Sequence, residues 1–326
     1  LNYVDFGGNF KGQNNAAGGW PNAETSYSPG TIDLVKTYYW RVDEFDGAAT
    51  HKGDVWSFTT IPVIPMTGDP SLVAWWTLNE GVGSNVVDWS GYGHHGTIEG
   101  STFWAEGYDL GALEFTGPGD FVEMTGYEGV TGTNPRTMTA WIKTTTPNRT
   151  ILSWGLNVAG QKWRMRSDAT SGLRAEVNGG YRFGVTNIAD GRWHHVAVTF
   201  EDDGTPDALD ILLYVDGQLD ATADSLDEPI DTVDSGVVRI GESPWHNAPF
   251  VGLIDDVRIY DKALTQSDIQ LVMRIDPLLA WNASPANGAT VDIDNTTPLT
   301  WSRGDMASQH DVYFGTDKDA VTNADS

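Results

Sequence analysis

Apolar and polar residues alternate along short stretches through most of the chain. Clear examples are residues 39–42, 212–215 and 257–260, and clusters of glycine, aspartate and asparagine separate such stretches. Alternation with a period of two is typical of β-strands that bury one face, and the polar, glycine-containing clusters are typical of turns. The pattern therefore predicts an all-β protein.

One short helix is predicted, at about residues 266–273. Thr265 can cap its first turn, and Asp268 then lies at the third helical position, near the positive end of the helix dipole. Proline interrupts the strand pattern at residues 61–65 and at Asp276-Pro277. We therefore expect three segments, residues 1–62, 71–275 and 276–326, with residues 63–70 as a linker.

Successive motifs along residues 71–275 read LVAWWTLNEGVGSNVVDWSGYGHHGTIEG, GALEFTGPGDFVEM, MTAWIKT, DGRWHHVAVTF, LLYVDGQ and GLIDDVRIYDKALTQSDIQ. In this order they resemble a laminin G-like domain. The resemblance implies a concanavalin A-like jelly-roll sandwich, in which strands from both ends of the domain lie side by side. A two-sheet core needs apolar residues spaced along short strands. The candidates are Trp75, Phe115, Trp141, Trp193, Val196, Val198, Tyr214, Ile254 and Ile259.

The two flanking segments carry a different resemblance. Residues 29–60, PGTIDLVKTYYWRVDEFDGAATHKGDVWSFTT, resemble the last two strands of a fibronectin type III-like domain, with Leu34, Thr37 and Tyr39 placed like that family's tyrosine corner. Residues 284–321, SPANGATVDIDNTTPLTWSRGDMASQHDVYFGTDKDAV, resemble the opening strands of the same kind of domain. The resemblance implies an immunoglobulin/fibronectin III-like sandwich contributed in two halves by the N- and C-terminal segments.

These halves complement each other, because joining residue 326 to residue 1 would complete one sandwich of roughly a hundred residues. Half a sandwich exposes unpaired strand edges and a bare apolar face. We therefore expect the tail of one copy to pair with the head of the next, by covalent continuation or by strand donation. The residues expected at this inter-unit pairing are Tyr39, Arg41, Trp56, Phe58, Trp301, Val312 and Phe314. The alternative is a fragment of a long protein whose two flanking sandwiches differ.

Charge narrows the classes of partner. The chain has 45 acidic and 19 basic residues, a net charge of -26, which argues against nucleic acid and anionic lipid and favours cations such as calcium. The sequence contains no run of eighteen or more apolar residues, so it does not predict a membrane-spanning helix. The absence of cysteine excludes a disulfide scaffold and thiolate metal sites.

The resemblance implies a structural calcium ion between the first loop and the last strand of the jelly roll. The matching residues are Glu80, Asp88, Asp255 and Asp256, which offer the hard oxygen ligands that calcium takes. Asp88 has an alternative role, because an aspartate before Ser90 and Gly91 can simply cap a turn.

About a third of the basic residues fall in residues 162–192. Alternation places Arg164 and Arg166 on one face, and a turn at Ser171-Gly172 brings Arg174 beside them, with Tyr181 and Arg182 following. This pattern predicts a concave face for acidic polysaccharide, with Trp154 or Tyr181 as the stacking platform, or a contact with the next repeat. A solvated face balanced by Glu176 is the simplest alternative.

No catalytic motif stands out. A glycanase of this fold needs two carboxylates projecting together from one strand, and neither 201–203 nor Asp255-Asp256 provides a convincing pair. We therefore expect a non-enzymatic repeat unit of an extracellular fibre or surface matrix that assembles with copies of itself. A carbohydrate-binding adhesion module of a secreted or cell-surface protein is the alternative, and a glycanase a minor one.

Overall fold

A computed structural model describes residues 68–245 and 247–274 without interruption. Outside this part it describes residues 2–4, 10–13, 37–45, 48–59, 64, 280–284, 299–303, 311–317 and 320–321. The regular secondary structure of the described chain is nearly all β-strand, arranged in antiparallel sheets, which confirms the all-β, jelly-roll prediction.

The strands, in chain order, are β1 (Asn2–Val4), β2 (Phe10–Gln13), β3 (Thr37–Phe45), β4 (Thr50–Thr59), β5 (Leu72–Trp76), β6 (Asn85–Val86), β7 (Gly96–Glu99), β8 (Phe103–Glu106), β9 (Gly111–Phe115), β10 (Phe121–Thr125), β11 (Arg136–Lys143), β12 (Thr150–Gly155), β13 (Lys162–Ser167), β14 (Leu173–Glu176), β15 (Tyr181–Gly184), β16 (Trp193–Phe200), β17 (Ile211–Val215), β18 (Gln218–Leu219), β19 (Thr222–Leu226), β20 (Val237–Ile240), β21 (Gly252–Tyr260), β22 (Trp281–Ser284) and β23 (Thr300–Ser302). Two helical elements are described, a 3-10 turn (Ala208–Asp210) and α1 (Gln266–Val272).

Two large sheets form the jelly roll. The nine-stranded sheet has the order β19-β15-β14-β13-β12-β20-β10-β7-β6. The eight-stranded sheet has the order β18-β17-β16-β11-β21-β9-β8, with β5 also paired to β21. Strand β21, near the end of the domain, thus lies beside β5 and β9 from its beginning, as the resemblance implied.

The core lies between the inner faces of these sheets. Trp76, Trp154, Trp163 and Phe115 are among its largest fully buried side chains. Of the expected core residues, Phe115, Val196, Val198, Ile254 and Ile259 lie in this core.

The other four expected core residues, Trp75, Trp141, Trp193 and Tyr214, lie outside the main core cluster. Alternation explains the difference at Trp75, because Ala74 and Trp76 take the inward positions and leave Trp75 on the outer face of the eight-stranded sheet. At Trp141 the inward positions belong to Ala140 and Ile142. Placing these four residues in the two-sheet core was therefore wrong.

Helix α1 confirms the helix prediction and closes the outer face of the eight-stranded sheet. The Thr265 side chain accepts a hydrogen bond from the Asp268 backbone N–H, and the Asp268 carboxylate accepts one from the Thr265 backbone N–H, which completes a capping box. Ile269 is buried in a small cluster with Tyr260 and Leu264.

The flanking segments contribute small antiparallel pairs within the described chain: β1 with β2, β3 with β4, and β22 with β23. Tyr39, Arg41 and Trp56 are exposed on the β3–β4 hairpin, and Trp301 is exposed on β23. Phe58 lies on β4, but its side chain is outside the described residues. Val312 and Phe314 are exposed and lie outside the strands. Their pairing with another copy stays a prediction.

Within the described residues, no helix has the length and apolar character needed to cross a membrane.

Candidate functional site

A row of polar side chains crosses the outer face of the nine-stranded sheet. Its members occupy directly paired positions on successive strands, and on β14, β13, β12, β20 and β10 their neighbours along the strand point into the core. From β15 to β10 this polar row consists of Tyr181, Glu176, Arg164, Ser153, Arg239 and Glu123. At the usual spacing of neighbouring strands, the row spans about 24 Å. Arg164 and Ser153, in the middle of this row, are buried, so the parts of the row that face solvent are its two ends.

Glu176 is the ion-pair partner of several basic residues on this face. Its carboxylate pairs with Lys162, lies 3.2 Å from the Arg166 guanidinium and 3.5 Å from that of Arg174. Burial raises the pKa of Glu176, but the hydrogen bond and charge of Lys162 and the charges of Arg164 and Arg166 outweigh it and hold this pKa at about 2. Glu176 is therefore a fixed anion that neutralises much of the local positive charge.

The remaining basic side chains are also paired, with one exception. Arg174 lies 2.9 Å from Asp168, and Arg239 lies 2.6 Å from Glu123. Arg164 has no acidic side chain within ion-pair distance among the described residues. This face therefore keeps one guanidinium without a carboxylate partner.

Arg164 is 2% exposed and is held by neutral acceptors. Its Nε donates to Thr150 Oγ1 at 3.0 Å, and its Nη2 donates to Thr150 Oγ1 and to the Asn247 carbonyl. Burial, followed by repulsion from Arg166, lowers the pKa of Arg164 to about 10. The neighbouring Ser153 hydroxyl on β12 is buried and has no hydrogen-bond partner in the described chain.

An aromatic pair lies at one end of the polar row, on β15. Tyr181 and Phe183 are half-buried, with ring centroids 5.9 Å apart and an interplanar angle of 29°. The Arg174 guanidinium lies 4.0 Å from the Tyr181 ring centroid, and the Tyr181 hydroxyl is 3.1 Å from Asp224 Oδ2. The pair is thus a fixed apolar surface bordered by charged groups.

Residues 241–245 and 247–250 lie beside the middle of the same face and are called the covering loop below. The Asn247 carbonyl accepts from Arg164 and the Ser243 carbonyl accepts from Arg239, each at 3.4 Å. Lys162 Nζ lies 5.4 Å from the half-buried Trp245 ring. This loop therefore limits access to Arg164 from solvent.

The structure corrects three predictions for the basic stretch. Trp154 is fully buried in the core and donates its indole N–H to the Val130 carbonyl at 2.9 Å, so it is not a stacking platform. Arg164 is on the expected face but is buried there. Arg182 pairs with the inward-facing Ala175, so it points to the other side of the sheet from Tyr181, towards Thr222 and the Leu209 carbonyl.

Two of the four candidate calcium ligands are engaged by protein donors. Asp88 accepts from the backbone N–H groups of Trp75, Ser90 and His94, each at 2.9 Å, which is the turn-capping role. Asp256 accepts from the Trp75 indole N–H at 2.6 Å and pairs with Arg258 at 2.9 Å. Both carboxylates therefore have structural roles without a metal ion.

The other two each retain a buried oxygen without a hydrogen-bond partner in the described chain, Oε2 of Glu80 and Oδ1 of Asp255. Glu80 Oε1 accepts from the Val87 N–H, and Asp255 Oδ2 accepts from the N–H groups of Tyr108 and Asp109. Burial raises the pKa of both groups, in Asp255 to about 7. A hard cation would satisfy each of these oxygens, and a calcium ion held by Glu80 and Asp255 stays a prediction.

Among the described residues, one group of three side chains could hold a metal ion by proximity. It consists of Asp202, Asp203 and Asp210, whose carboxylate oxygens lie within 4.8 Å of one another. It includes none of the four predicted ligands.

Sequence reasoning missed Ser153, Phe183 and Asp168. The signal for Ser153 was present in the alternation, since its neighbours Leu152 and Trp154 point into the core, and Phe183 lies two residues after Tyr181 on the same strand. Their pairing with Arg164 and Arg174 depends on strand register, which a single sequence does not specify.

Comparison with known families agrees with this architecture. Residues 116–270, just under half of the chain, match the family described as the concanavalin A-like lectin/glucanases superfamily. This segment is a concanavalin A-like domain. The laminin G-like, concanavalin A-like prediction is confirmed there, whereas the match does not extend to the flanks, whose fibronectin III-like assignment stays a prediction. A search of curated proteins gave no match.

Several solved structures are similar to the chain. Domain 4 of AbnA, a GH43 extracellular arabinanase from Geobacillus stearothermophilus solved with arabinotriose, is 20% identical, with coverage of 63% of this chain and 98% of that chain and a TM-score of 0.49. The receptor-binding domain of the botulinum neurotoxin C/D mosaic serotype is 16% identical, with coverage of 65% and 52% and a TM-score of 0.43. The botulinum neurotoxin serotype D ligand-binding domain, solved with N-acetylneuraminic acid, is 16% identical, with coverage of 65% and 52% and a TM-score of 0.42.

This chain spans about half the length of the two botulinum neurotoxin domains. These likenesses assign neither a ligand nor an activity to the concanavalin A-like domain.

Proposed function

We propose that this chain is a non-catalytic carbohydrate-binding module of an extracellular or cell-surface protein. The polysaccharide binds at the β15 end of the polar row, with the Tyr181–Phe183 pair as its stacking platform. The observation that carries the proposal is this half-exposed aromatic pair at the end of a long row of hydrogen-bonding side chains. The matched family, described as one of lectins and glucanases, supports the same class.

The chemistry of the platform suits a sugar ring. A pyranose has apolar C–H faces and a rim of hydroxyls, so it stacks on an aromatic ring while the rim bonds to polar groups beside it. The Arg174 guanidinium lies over one face of the Tyr181 ring and Asp224 lies beside its hydroxyl, so a donor and an acceptor are available next to the aromatic pair. The proposed ligands include anionic polysaccharides, the class that the basic stretch predicts.

The charges of the polar row favour binding over hydrolysis. Glu176 and Glu123 are its acidic members, and they are separated by four strand steps, about 19 Å, whereas a glycosidase pair needs about 5–9.5 Å. The lowered pKa of Glu176 also leaves it without a proton to donate near neutral pH. Release of reducing ends from a bound polysaccharide would contradict a non-catalytic role.

The test is affinity electrophoresis of the full chain in gels containing neutral or uronic-acid polysaccharides. We expect the chain to be retarded in at least one gel. Tyr181→Ala or Phe183→Ala should lower the apparent affinity at least tenfold, because each removes one stacking contact and the hydrogen bonds beside it. Phe103→Ala, which removes an exposed aromatic ring from β8 in the other sheet, should not change it. Equal binding by all of these variants would place the site elsewhere.

We also propose, as a second function, that the chain serves as a structural repeat unit that assembles head to tail. The supporting observation is that the β3–β4 hairpin carries exposed aromatic side chains on both faces, Tyr39 on one and the paired Trp40 and Trp56 on the other. Exposed apolar surface of this kind is typical of strands covered by another chain or domain. The two functions are compatible, because they use different parts of the chain.

A further inference from the structure

The covering loop places a second aromatic side chain, Trp245, on the same side of the nine-stranded sheet as the Tyr181–Phe183 pair. The Trp245 ring is half-buried and lies 5.4 Å from Lys162 Nζ. Lys162 belongs to β13, which is separated from β15 by two strand steps, about 10 Å. This face therefore carries two aromatic surfaces at a distance that a single sugar ring does not span.

A continuous series of side-chain contacts joins the two aromatic surfaces. Lys162, beside Trp245, pairs with Glu176, whose carboxylate lies 3.5 Å from the Arg174 guanidinium. Arg174 in turn lies 4.0 Å from the Tyr181 ring centroid. A cation thus lies next to each ring, and one carboxylate lies between the two cations. Because these charged groups hold one another in place, the fold fixes the spacing of the rings.

The covering loop is anchored to the domain. Phe250, near its end, is fully buried and contacts Phe115 in the core with the rings edge to face. The Ala248 carbonyl accepts a hydrogen bond from the Thr150 backbone N–H at 2.7 Å. An aromatic ring on an anchored segment binds a ligand with little further loss of conformational freedom, so Trp245 is suited to stacking.

The charged side chains between the rings offer little surface to a ligand. Only 4% of the Lys162 side chain, 14% of Glu176 and 20% of Arg174 is exposed. Most of the affinity for a polymer on this face must therefore come from the aromatic surfaces. Stacking uses the apolar C–H face of a sugar, which neutral sugars and uronic acids share.

We propose that Trp245 is a second stacking subsite, and that the ligand of this chain is an extended polysaccharide with separate sugar units on Trp245 and on the Tyr181–Phe183 pair. The proposal rests on the carbohydrate-binding function proposed above and adds the class of ligand, a polymer rather than a single sugar. Once one unit is bound, the second contact forms within the same complex, so a longer chain binds more tightly than a short one.

The experiment measures the affinity of the full chain for linear oligomers by isothermal titration. Two series are used, from dimer to octamer: oligomers of galacturonic acid and β-1,4-linked oligomers of glucose. In the series that binds, we expect the affinity to rise at least about tenfold from the dimer to the longest oligomers, because these contact both aromatic surfaces.

Trp245→Ala should remove this gain with length, while the dimer, held by the larger aromatic pair, should bind as it does to the wild-type chain. Trp245→Phe keeps an aromatic face and should retain part of the gain. Tyr181→Ala should weaken binding of every oligomer. Phe103→Ala, on β8 of the other sheet, is the control and should change neither the affinity nor its dependence on length.

Three outcomes would overturn the second subsite: equal affinity of the wild-type chain for dimer and octamer, a gain with length that survives in Trp245→Ala, or loss of the gain that is as complete in Trp245→Phe as in Trp245→Ala. The last result would attribute the gain to the conformation of the covering loop. All three would leave the proposed carbohydrate binding in place, provided that Tyr181→Ala still reduced it. Failure of the wild-type chain to bind oligomers of either series would overturn the second subsite, and together with absence of retardation in the gels described above it would overturn both proposals.

Discussion

Lys162 and Glu176 form an ion pair across β13 and β14, with 4% and 14% of their side chains exposed. Arg166 and Arg174 share the same carboxylate. Four basic residues on this face, Lys162, Arg164, Arg166 and Arg174, are thus accompanied by two carboxylates, Glu176 and Asp168. The structure therefore lowers the positive charge of the stretch without cancelling it, and Arg164 is the guanidinium without an ion-pair partner among the described residues.

Stability should fall in acid because of Glu176. The pKa of this group is about 2 in the folded chain and near the ordinary 4.5 when unfolded, so the stabilisation is present above about pH 4.5 and is lost as the pH falls from there towards 2. Urea unfolding between pH 3 and 7 measures it. Glu176→Gln should lower stability at pH 7 and flatten the acid side of the profile.

The matched control is Glu99→Gln, an exposed carboxylate on β7 of the same sheet. This change should leave the profile of the wild-type chain nearly unaltered. A Glu176→Gln variant that loses stability in acid as steeply as the wild type would show that other carboxylates govern acid unfolding.

Calcium should raise the melting temperature of the jelly roll, because it would satisfy the orphaned oxygens of Glu80 and Asp255. At a free calcium concentration of about a hundred times Kd, the expected gain in unfolding free energy is about 2.7 kcal/mol. Differential scanning fluorimetry with and without a chelator measures the effect. Asp255→Asn should remove the response to calcium.

Asp256→Asn provides the comparison, since Asp256 is already paired with Arg258. This variant should be less stable but should still respond to calcium. A wild-type melting temperature that is the same with calcium and with chelator would exclude a structural ion at this position.

Trp154 should be essential for folding rather than for binding. Trp154→Ala is expected to cost about 3–5 kcal/mol of unfolding free energy, the usual result of emptying a large core site. Tyr181→Ala should cost far less, since Tyr181 is half-exposed. Guanidinium unfolding of both variants, alongside their polysaccharide binding, separates the two roles.

A second core variant checks the same packing. The backbone of Gly129 lies against the Trp154 indole, and a Cβ at this position would come within 2.7 Å of the ring. Gly129→Ala should therefore destabilise the chain, also because Gly129 has a φ of +68°. A stable Gly129→Ala variant would indicate looser packing around Trp154 than the structure shows.

The sequence was sufficient for the fold class and for helix α1, because alternation and the Thr265–Asp268 capping box are local patterns. The sequence was not sufficient to predict which residues of each strand face the core. Trp75 and Trp154 illustrate the problem: both are tryptophans in short strands, yet one lies on an outer face and the other in the core. Aromatic residues fit either side, so composition alone did not distinguish them.

The site was predicted in part for a related reason. Arg166, Arg174 and Tyr181 do share one face, as alternation and the intervening turn indicated. The ion pairs with Glu176 and Asp168 depend on strand register, and the burial of Arg164 depends on contact with Asn247, which lies far away in sequence. Such long-range contacts leave no local pattern.

Head-to-tail assembly by strand donation should appear as concentration-dependent association of the full chain. Phe314 is 84% exposed and is one of the residues expected at the contact. Sedimentation velocity over a hundredfold concentration range should show species larger than one chain, and Phe314→Ser should reduce them because it removes apolar surface that a second copy would cover. Phe103→Ser, an equally polar change on β8 of the jelly roll, should have no effect. If the wild-type chain sediments as a monomer at every concentration, strand donation between separate chains is wrong, and the exposed aromatic residues of the hairpin require a covering segment in the same polypeptide.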